Sequence, residues 1–254
     1  MGFSRRETAN SDHPDQVGQE TDAQQPVTPS HGEQNAPAEH EGEKQIHNNG
    51  AKEFPWELTK AAIDAGYDSV LFDGGRLPYE VNILETRRVV DYAGLTRGPF
   101  MVEGELGYLR GSSQVQREVT ISPADYTKPS QAADFVARTG VARLAVAFGN
   151  IHGIVTAQRE ELDIGRLMEI AAVVPAVQLV LHGASGLPDA QIKAAIAAGI
   201  TNVHFNTELR VAYTTHLREA LTADPSQTTP FKLMAPAADA VRDIVEKKTR
   251  VFMG

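Results

Sequence analysis

The chain has 254 residues, contains no cysteine and carries a formal net charge of −9 at neutral pH. The lack of cysteine excludes a disulfide framework and agrees with a cytoplasmic location, and the acidic charge without a basic stripe argues against a nucleic-acid partner. No apolar run reaches the roughly 20 residues of a membrane-spanning helix, so we expect no membrane partner either.

Residues 1–52 differ in composition from the rest of the chain. They are rich in Gln, Glu, Asp, Asn, Ser, Pro, Gly and His, and they carry nine acidic and four basic residues. Such a segment buries too little apolar surface to offset its ordering entropy. We therefore predict a disordered low-complexity tail over 1–52 and a folded domain over 53–254. The histidines of the tail are irregularly spaced, which favours solvated side chains over a metal site.

Helices and short apolar strands alternate after the tail. The predicted helices are, in chain order, ELTKAAIDAG, VNILETRRVVDYAG, SQAADFVARTG, ELDIGRLMEIAAVV and PDAQIKAAIAAG, followed by long C-terminal helices. The predicted strands after these five helices are DSVLFDGG, PFMVEGELG, RLAVAFGN, VQLVLHGAS and TNVHFNTEL. Near-continuous apolar strands between amphipathic helices indicate a parallel sheet covered by helices, and so an α/β fold.

Polar side chains occur where every one of these strands ends. They are Asp73, Glu103 with Glu105, His152, His182, and His204 with Asn206. A doubly wound sheet collects ligands only at its switch point, whereas a (β/α)8 barrel brings all its strand ends to one mouth. The pattern therefore favours a (β/α)8 TIM barrel, of which about five of the eight β-α units can be recognised.

Two His-Gly pairs, His152-Gly153 and His182-Gly183, each follow an apolar strand. Neutral imidazoles at neighbouring strand ends can reach one divalent ion, and zinc accepts histidine nitrogen readily. The turn after His182 is made of small residues, 183–186, and leads into a helix. Two interpretations remain open for it: an anion site at a helix N-terminus, or a tight turn that requires glycine.

Period-two alternation predicts which strand residues face the barrel axis. It places Glu103 and Glu105 on one strand face, and it places His204 and Asn206 on the face opposite the apolar pair beside them. The two glutamates can bind a cation, orient water or exchange protons, and one of them can equally be an ion-pair partner. Asp73 is either a turn former or a site carboxylate.

Six stretches together resemble the class II, zinc-dependent ketose-bisphosphate aldolase family, in its tagatose- and fructose-bisphosphate branch. They are SVLFDGGRLPYEVN, VEGELG, YTKPSQAADFVARTGVARLAVAFGNIHG, LVLHGASGLPDAQI, VHFNTELRVAY and APAADAVRDIVEKK. Their order and spacing agree with the family over roughly 200 residues. The resemblance implies a (β/α)8 barrel that cleaves fructose or tagatose 1,6-bisphosphate to dihydroxyacetone phosphate and glyceraldehyde 3-phosphate. It also implies a homo-oligomer.

The resemblance assigns roles to individual residues. His152 and His182 match two zinc-binding histidines, and Glu103 matches a carboxylate near the metal. The residues that match the phosphate and enediolate contacts are Gly153, Gly183, Ala184, Ser185, His204, Phe205, Asn206 and Thr207. We predict Glu103 and His204 as catalytic residues, and Zn²⁺ with a monovalent cation nearby as cofactors.

This chain departs from the family pattern in its third strand. The family carries a His-x-Asp-His motif there, which supplies a proton-transfer aspartate and a third zinc histidine. The corresponding stretch, residues 46–52, reads IHNNGAK and has neither residue in the expected place. One alignment places Asn48 and Asn49 opposite the pair, and another places Ala51 and Lys52 there. His204, where the family commonly has asparagine, is a candidate substitute ligand.

The missing pair and the missing first strands leave alternatives to an active aldolase. The chain is either an aldolase completed by other groups, a catalytically inactive sugar-phosphate-binding or accessory subunit, or the product of a truncated or rearranged gene. A barrel completed by another chain is a further explanation of the missing strands.

Overall fold

The computed structural model describes residues 45–46 and 56–254. Every described residue belongs to one compact unit of the chain. Most of the predicted tail, including its histidines, lies outside the described residues, as does the predicted boundary at residue 52. The disordered tail and its boundary at residue 52 therefore stay predictions.

Helices and strands alternate along the described residues. The strands are β1 (Gln45–Ile46), β2 (Ser69–Phe72), β3 (Met101–Leu106), β4 (Gly111–Gln116), β5 (Arg143–Val146), β6 (His152–Val155), β7 (Gln178–Leu181) and β8 (Ile200–Val203). The helices are α1 (Trp56–Asp64), α2 (Tyr79–Arg97), α3 (Pro129–Thr139), α4 (Ile164–Val173), α5 (Asp189–Ala197), α6 (Thr207–Ala223) and α7 (Pro230–Met253), and a 3₁₀ turn covers Pro123–Asp125. The five predicted strands correspond to β2, β3, β5, β7 and β8.

The strands form one six-stranded sheet and one two-stranded sheet. The large sheet has the order β1-β2-β3-β5-β7-β8, the small one pairs β4 with β6, and all of these pairings are parallel. The predicted α/β fold is confirmed, and β1 adds a sixth strand to the five that the sequence indicates. Because the carboxyl ends of parallel strands share one edge, the polar residues in the last part of β3 and directly after β2, β7 and β8 are brought together.

The last predicted strand is shorter than the sequence suggests. The alternating stretch TNVHFNTEL predicts extended chain to Leu209, but β8 ends at Val203 and α6 begins at Thr207. The Ser185 hydroxyl accepts hydrogen bonds from the backbone N–H groups of Asn206 (3.2 Å) and Glu208 (3.3 Å). These bonds satisfy donors that the first turn of a helix leaves open, so the helix starts here.

The core lies between the large sheet and its helices. Phe72, Phe135, Leu144 and Leu181 are among its fully buried side chains. A Cβ on Gly104 would lie 2.8 Å from the Phe135 ring, so this position faces helix α3. The side chains on either side of it in β3 therefore point away from α3, as the alternation predicts.

No helix in the part of the chain that the structure describes has the length and apolar character needed to cross a membrane.

The buried carboxyl of Glu160 makes stability depend on pH. Burial raises its pKa from 4.5 to about 8, despite the hydrogen bond that Ile151 N–H donates to it at 2.9 Å. The pKa of Glu160 is higher in the folded state than in the unfolded state. Its contribution to the unfolding free energy is therefore fully present below pH 4.5 and is lost as pH rises through about 8.

We expect Glu160→Gln to flatten the pH dependence of the unfolding free energy across this interval, because glutamine stays neutral and still accepts from Ile151. Thermal unfolding followed at several pH values measures the effect. Glu161→Gln, at the exposed neighbouring position, is the matched control and should leave the pH profile unchanged. A Glu160→Gln profile identical to that of the wild type would contradict the prediction.

Candidate functional site

A cleft of about 390 Å³ opens beyond the carboxyl ends of β7 and β8. This volume lies within the range of small-molecule sites. The residues that line it are Ser113, His152, Gly153, His182, Gly183, Ser185, Val203, His204, Phe205, Asn206 and Thr207. Of the predicted site residues, Glu103 and Ala184 are not among them, and both are fully buried. Ser113 and Val203 were not predicted.

His182 is the centre of the buried part of this site. Its Nε2 lies 2.8 Å from Glu103 Oε1, and both side chains are buried. Burial lowers the pKa of His182, but the hydrogen bond to Glu103 and the charges of Glu105, Glu103 and Asp73 outweigh it, so the pKa is raised. A carboxylate at this distance fixes the orientation of the imidazole ring, and both groups can serve as ligands of one metal ion.

Two further histidines lie beside His182. The ring centroids of His182 and His204 are 4.6 Å apart, and those of His182 and His152 are 6.1 Å apart. Burial, followed by the charges of His182 and Arg76, lowers the pKa of His152 to about 4. His152 is therefore a neutral imidazole at neutral pH, which is the form that binds metal.

His152 reaches the cleft by a different route from the one the sequence suggests. Strand β5 ends at Val146, and His152 is the first residue of β6, which pairs with β4 in the small sheet. His182, in contrast, directly follows β7 in the large sheet. Both His-Gly pairs therefore line the cleft, although one belongs to the small sheet and the other follows a strand of the large sheet.

Glu105 is the second buried carboxyl group of β3. Burial, the charge of Asp73 and that of Glu103 raise its pKa to about 8, while His182 and Arg76 act in the opposite direction. The carboxyl group is therefore largely protonated at neutral pH. Its Oε2 has no hydrogen-bond partner among the described residues.

The donor atoms around His182 fit a zinc ion. Glu103, His182 and His204 each offer one ligand atom, and these three atoms lie within 4.8 Å of one another. Two imidazoles and one carboxylate are a set that catalytic zinc sites use, with a further position left for water or substrate.

The glycines beside the cleft allow two backbone segments to approach closely. Gly183 has φ +71°, and a Cβ there would lie 2.1 Å from Ile151 O. Gly153 has φ +101°, and a Cβ there would lie 2.3 Å from Ser112 O. Only glycine fits such positions. The tight-turn interpretation therefore holds for 183–186. The anion site at the N-terminus of the helix that follows this turn, α5, stays a prediction, and the helix whose first residue lines the cleft is α6.

The comparison with known families agrees with this arrangement. The model of the family described as class-II fructose-bisphosphate aldolase matches residues 45–254. The chain belongs to the class-II fructose-bisphosphate aldolase family. The resemblance drawn from the sequence motifs is thereby confirmed at the level of the family.

Relatives with known names or structures give the same family. A fructose-bisphosphate aldolase of Geobacillus stearothermophilus is 38% identical over 198 residues, which are 78% of this chain and 66% of that protein. The YdjI aldolase of Escherichia coli K12 matches with TM-score 0.60 and 33% identity, covering 77% of this chain and 64% of that one. A putative fructose-1,6-biphosphate aldolase of Coccidioides immitis matches with TM-score 0.67 and 30% identity, covering 77% and 67%. The chain thus spans about two thirds of the length of these aldolases.

Several residues that support the site escape sequence reasoning. The buried amide of Asn150 donates from Nδ2 to His182 O at 2.9 Å and accepts at Oδ1 from Phe148 N–H at 2.9 Å. The amide of Asn82, on helix α2, donates to Glu105 O at 2.9 Å. Both asparagines lie within stretches that resemble the family, but the sequence alone assigned no role to either of them.

A buried lysine connects the C-terminal helix to the cleft. Lys248 Nζ lies 3.2 Å from Glu208 Oε1 and 3.8 Å from Asp189 Oδ1. The same Glu208 oxygen accepts a hydrogen bond from Gly186 N–H at 2.6 Å. Lys248 therefore acts on the small-residue turn through Glu208, because the carboxylate that holds the turn is itself held by the ammonium group.

We expect Lys248→Met to destabilise the fold by about 1.5–3 kcal/mol, the usual value of a hydrogen bond to a charged group. It should also raise KM for a phosphate-bearing substrate more than it lowers kcat, because the turn loses its anchor. Thermal unfolding and steady-state kinetics measure the two effects. Lys247→Met is the matched control, since the Lys247 side chain is 68% exposed and 3.9 Å from Asp189. If Lys248→Arg restores KM, the positive charge that holds Glu208 is what matters, and not the packing of the lysine chain. An unchanged KM in Lys248→Met would contradict the prediction.

Proposed function

We propose that this protein catalyses the reversible, zinc-dependent cleavage of a ketose 1,6-bisphosphate, either fructose or tagatose, to dihydroxyacetone phosphate and glyceraldehyde 3-phosphate. The observation that carries the proposal is the cleft, where a buried imidazole–carboxylate cluster lies beside a glycine turn and the N-terminus of α6. Membership of the aldolase family supports the reaction type.

The two parts of the cleft match the two ends of the reacting half of the substrate. Gly183, Ser185 and Thr207 line the side on which α6 begins, where the helix dipole favours a phosphate. His182 and His204 line the side where the ketose carbonyl would lie. When bound, zinc would supply positive charge that polarises this carbonyl and stabilises the charge that develops as the carbon–carbon bond breaks.

The chain's own residues would orient the reactants and hold protons. Glu103 fixes the His182 ring through the 2.8 Å contact. The buried carboxyl group of Glu105 lies on the same face of β3 as Glu103, and a carboxyl group in such a place can exchange a proton with a reactant. It is therefore a candidate for part of the role that the family's missing aspartate performs.

A coupled retro-aldol assay on the full chain tests this function. Fructose and tagatose bisphosphates are each supplied with and without added zinc, and with a chelator. We expect turnover that requires zinc and is lost on chelation, and the ratio of the two rates identifies the preferred sugar. Soluble, folded protein without turnover under any of these conditions would contradict the proposal.

A second candidate function is sugar-phosphate binding without turnover, as an accessory subunit. The observation that favours it is the stretch 46–52, which lacks the aspartate and histidine of the family motif. Retained binding of dihydroxyacetone phosphate in a protein without turnover would support this function. A homo-oligomer, a cytoplasmic location and a bound monovalent cation, all stated from the sequence, stay predictions.

A further inference from the structure

The ligand set of the metal ion differs between the sequence prediction and the arrangement of the side chains. The sequence predicts His152, His182 and Glu103. In the structure, the donor atoms that lie within 4.8 Å of one another belong to Glu103, His182 and His204. The His204 ring is also nearer to His182, with centroids 4.6 Å apart, than the His152 ring is at 6.1 Å.

The backbone of His204 is fixed against the segment that carries His182. His204 N–H donates to Leu181 O at 2.8 Å, and Ala184 N–H donates to His204 O at 3.1 Å. Leu181 and Ala184 are close to His182 on either side along the chain. The backbones of the two histidines are therefore held in one fixed relation, as the first coordination shell of a metal requires.

The charges around His182 favour a cation. The buried carboxylate of Glu103 lies 2.8 Å from His182, and the charge of Asp73 also acts on His182. Glu105 is not counted with them, because its carboxyl group is largely protonated at neutral pH, and Arg76 is a positive group that acts on it. A divalent ion between the imidazoles would be surrounded by more negative than positive side chains, which offsets part of the cost of removing the ion from water.

We propose that His204 is a metal ligand, and that Glu103, His182 and His204 together hold one divalent cation of the zinc type. His204 thereby supplies the imidazole that the stretch 46–52 does not have at the position expected from the family motif. The assignment rests on the proposed function for its biological meaning, because it names the ligands of the ion that the aldol cleavage would use. Metal binding itself is measured without turnover.

The experiment compares binding of Zn²⁺ and Co²⁺ to four full-length proteins: the wild type, His204→Asn, His152→Asn and His216→Asn. Calorimetry gives the zinc affinity, and the visible absorption of the cobalt form reports its coordination. His216 is the matched control, since it lies on α6 outside the cluster, with Nδ1 2.9 Å from Ala212 O. Thermal unfolding without metal establishes that each variant is folded.

We expect one bound ion in the wild type, a loss of zinc affinity of about 100-fold or more in His204→Asn, and wild-type affinity in His216→Asn. The loss should reach at least the top of the 10–100-fold range known for groups that only orient ligands. The cobalt spectrum of His204→Asn should change as well. His204→Gln, a second variant without an imidazole, should behave in the same way.

Wild-type zinc affinity in folded His204→Asn would overturn the assignment, as would an unchanged cobalt spectrum. A large loss in His152→Asn with none in His204→Asn would instead support the set predicted from the sequence. Zinc bound through His204 in a protein without aldol turnover would contradict the proposed function and leave the ligand assignment intact.

Discussion

Replacing His182 is expected to lower the proposed retro-aldol turnover by about a thousandfold or more, which corresponds to roughly 4 kcal/mol of transition-state stabilisation. His182 is the side chain that contacts Glu103 at 2.8 Å and that lies with His204 in the cluster of donor atoms. Removal of its imidazole therefore removes a proposed metal ligand and the partner of a buried carboxylate at the same time. Turnover and zinc content of the purified variants measure the effect.

Two substitutions separate these roles. In His182→Gln, the side-chain amide can still donate to Glu103, so turnover is lost while stability is largely kept. In His182→Ala, Glu103 loses this partner, and breaking such a buried pair costs about 3 kcal/mol, or roughly 6–12 °C in Tm for a chain of this size. Turnover near the wild-type value in His182→Gln would contradict a role of this imidazole in the reaction.

Gly183→Ala is expected to have the second largest effect, because it moves the turn that closes the cleft. The added Cβ would lie 2.1 Å from Ile151 O, and the residue would also keep an unfavourable φ of +71°. A side chain in the left-handed region costs about 1–3 kcal/mol by itself. The clash must in addition displace the loop before His152, so we expect a loss of more than about 4 kcal/mol in stability and loss of phosphate binding.

Gly186→Ala is the matched control for this prediction. It lies in the same turn with φ +88°, but the nearest atom to its added Cβ is Ile154 Cγ2 at the ordinary distance of 3.4 Å. We expect only the conformational cost, about 1–3 kcal/mol. Urea unfolding and binding of inorganic phosphate compare the two variants. Equal losses in both would show that the close approach to Ile151 is not what requires glycine.

The sequence was sufficient for the strand-end residues of the large sheet. Buried parallel strands leave a clear pattern of short apolar runs, and their last residues must lie at one edge. Glu103 and Glu105 follow from this pattern because they alternate with Gly104, which faces α3.

The position of His152 could not be obtained in the same way. The stretch RLAVAFGNIHG reads as one strand followed by a His-Gly pair, yet the strand ends at Val146 and His152 starts a second strand that pairs with β4. Strand β4 has an exposed or half-buried pattern without long apolar side chains, apart from Val115. Pairing of this kind depends on a distant segment, so the local sequence gives little sign of it.

The sequence also did not predict the contact between α7 and α6 that holds the turn beside the cleft. Lys248, near the end of α7, contacts Glu208, at the start of α6, across 40 residues of chain. Lysine near a helix C-terminus is common on solvated surfaces. Only the packing of α7 beside α6 buries this lysine and gives it a role.

The sequence by itself determined the fold class, the family and the set of residues from which the site is built. Each of these is carried by local patterns, namely period-two and helical spacing, glycine positions and motifs. The tertiary structure decided which of those residues meet. Leu181 and Val203 are paired in register between β7 and β8, so His182 and His204, the residues that follow them, lie side by side. The sequence named His204 as a candidate substitute ligand. The register between β7 and β8, which packing of the whole sheet sets, is what places His204 beside His182.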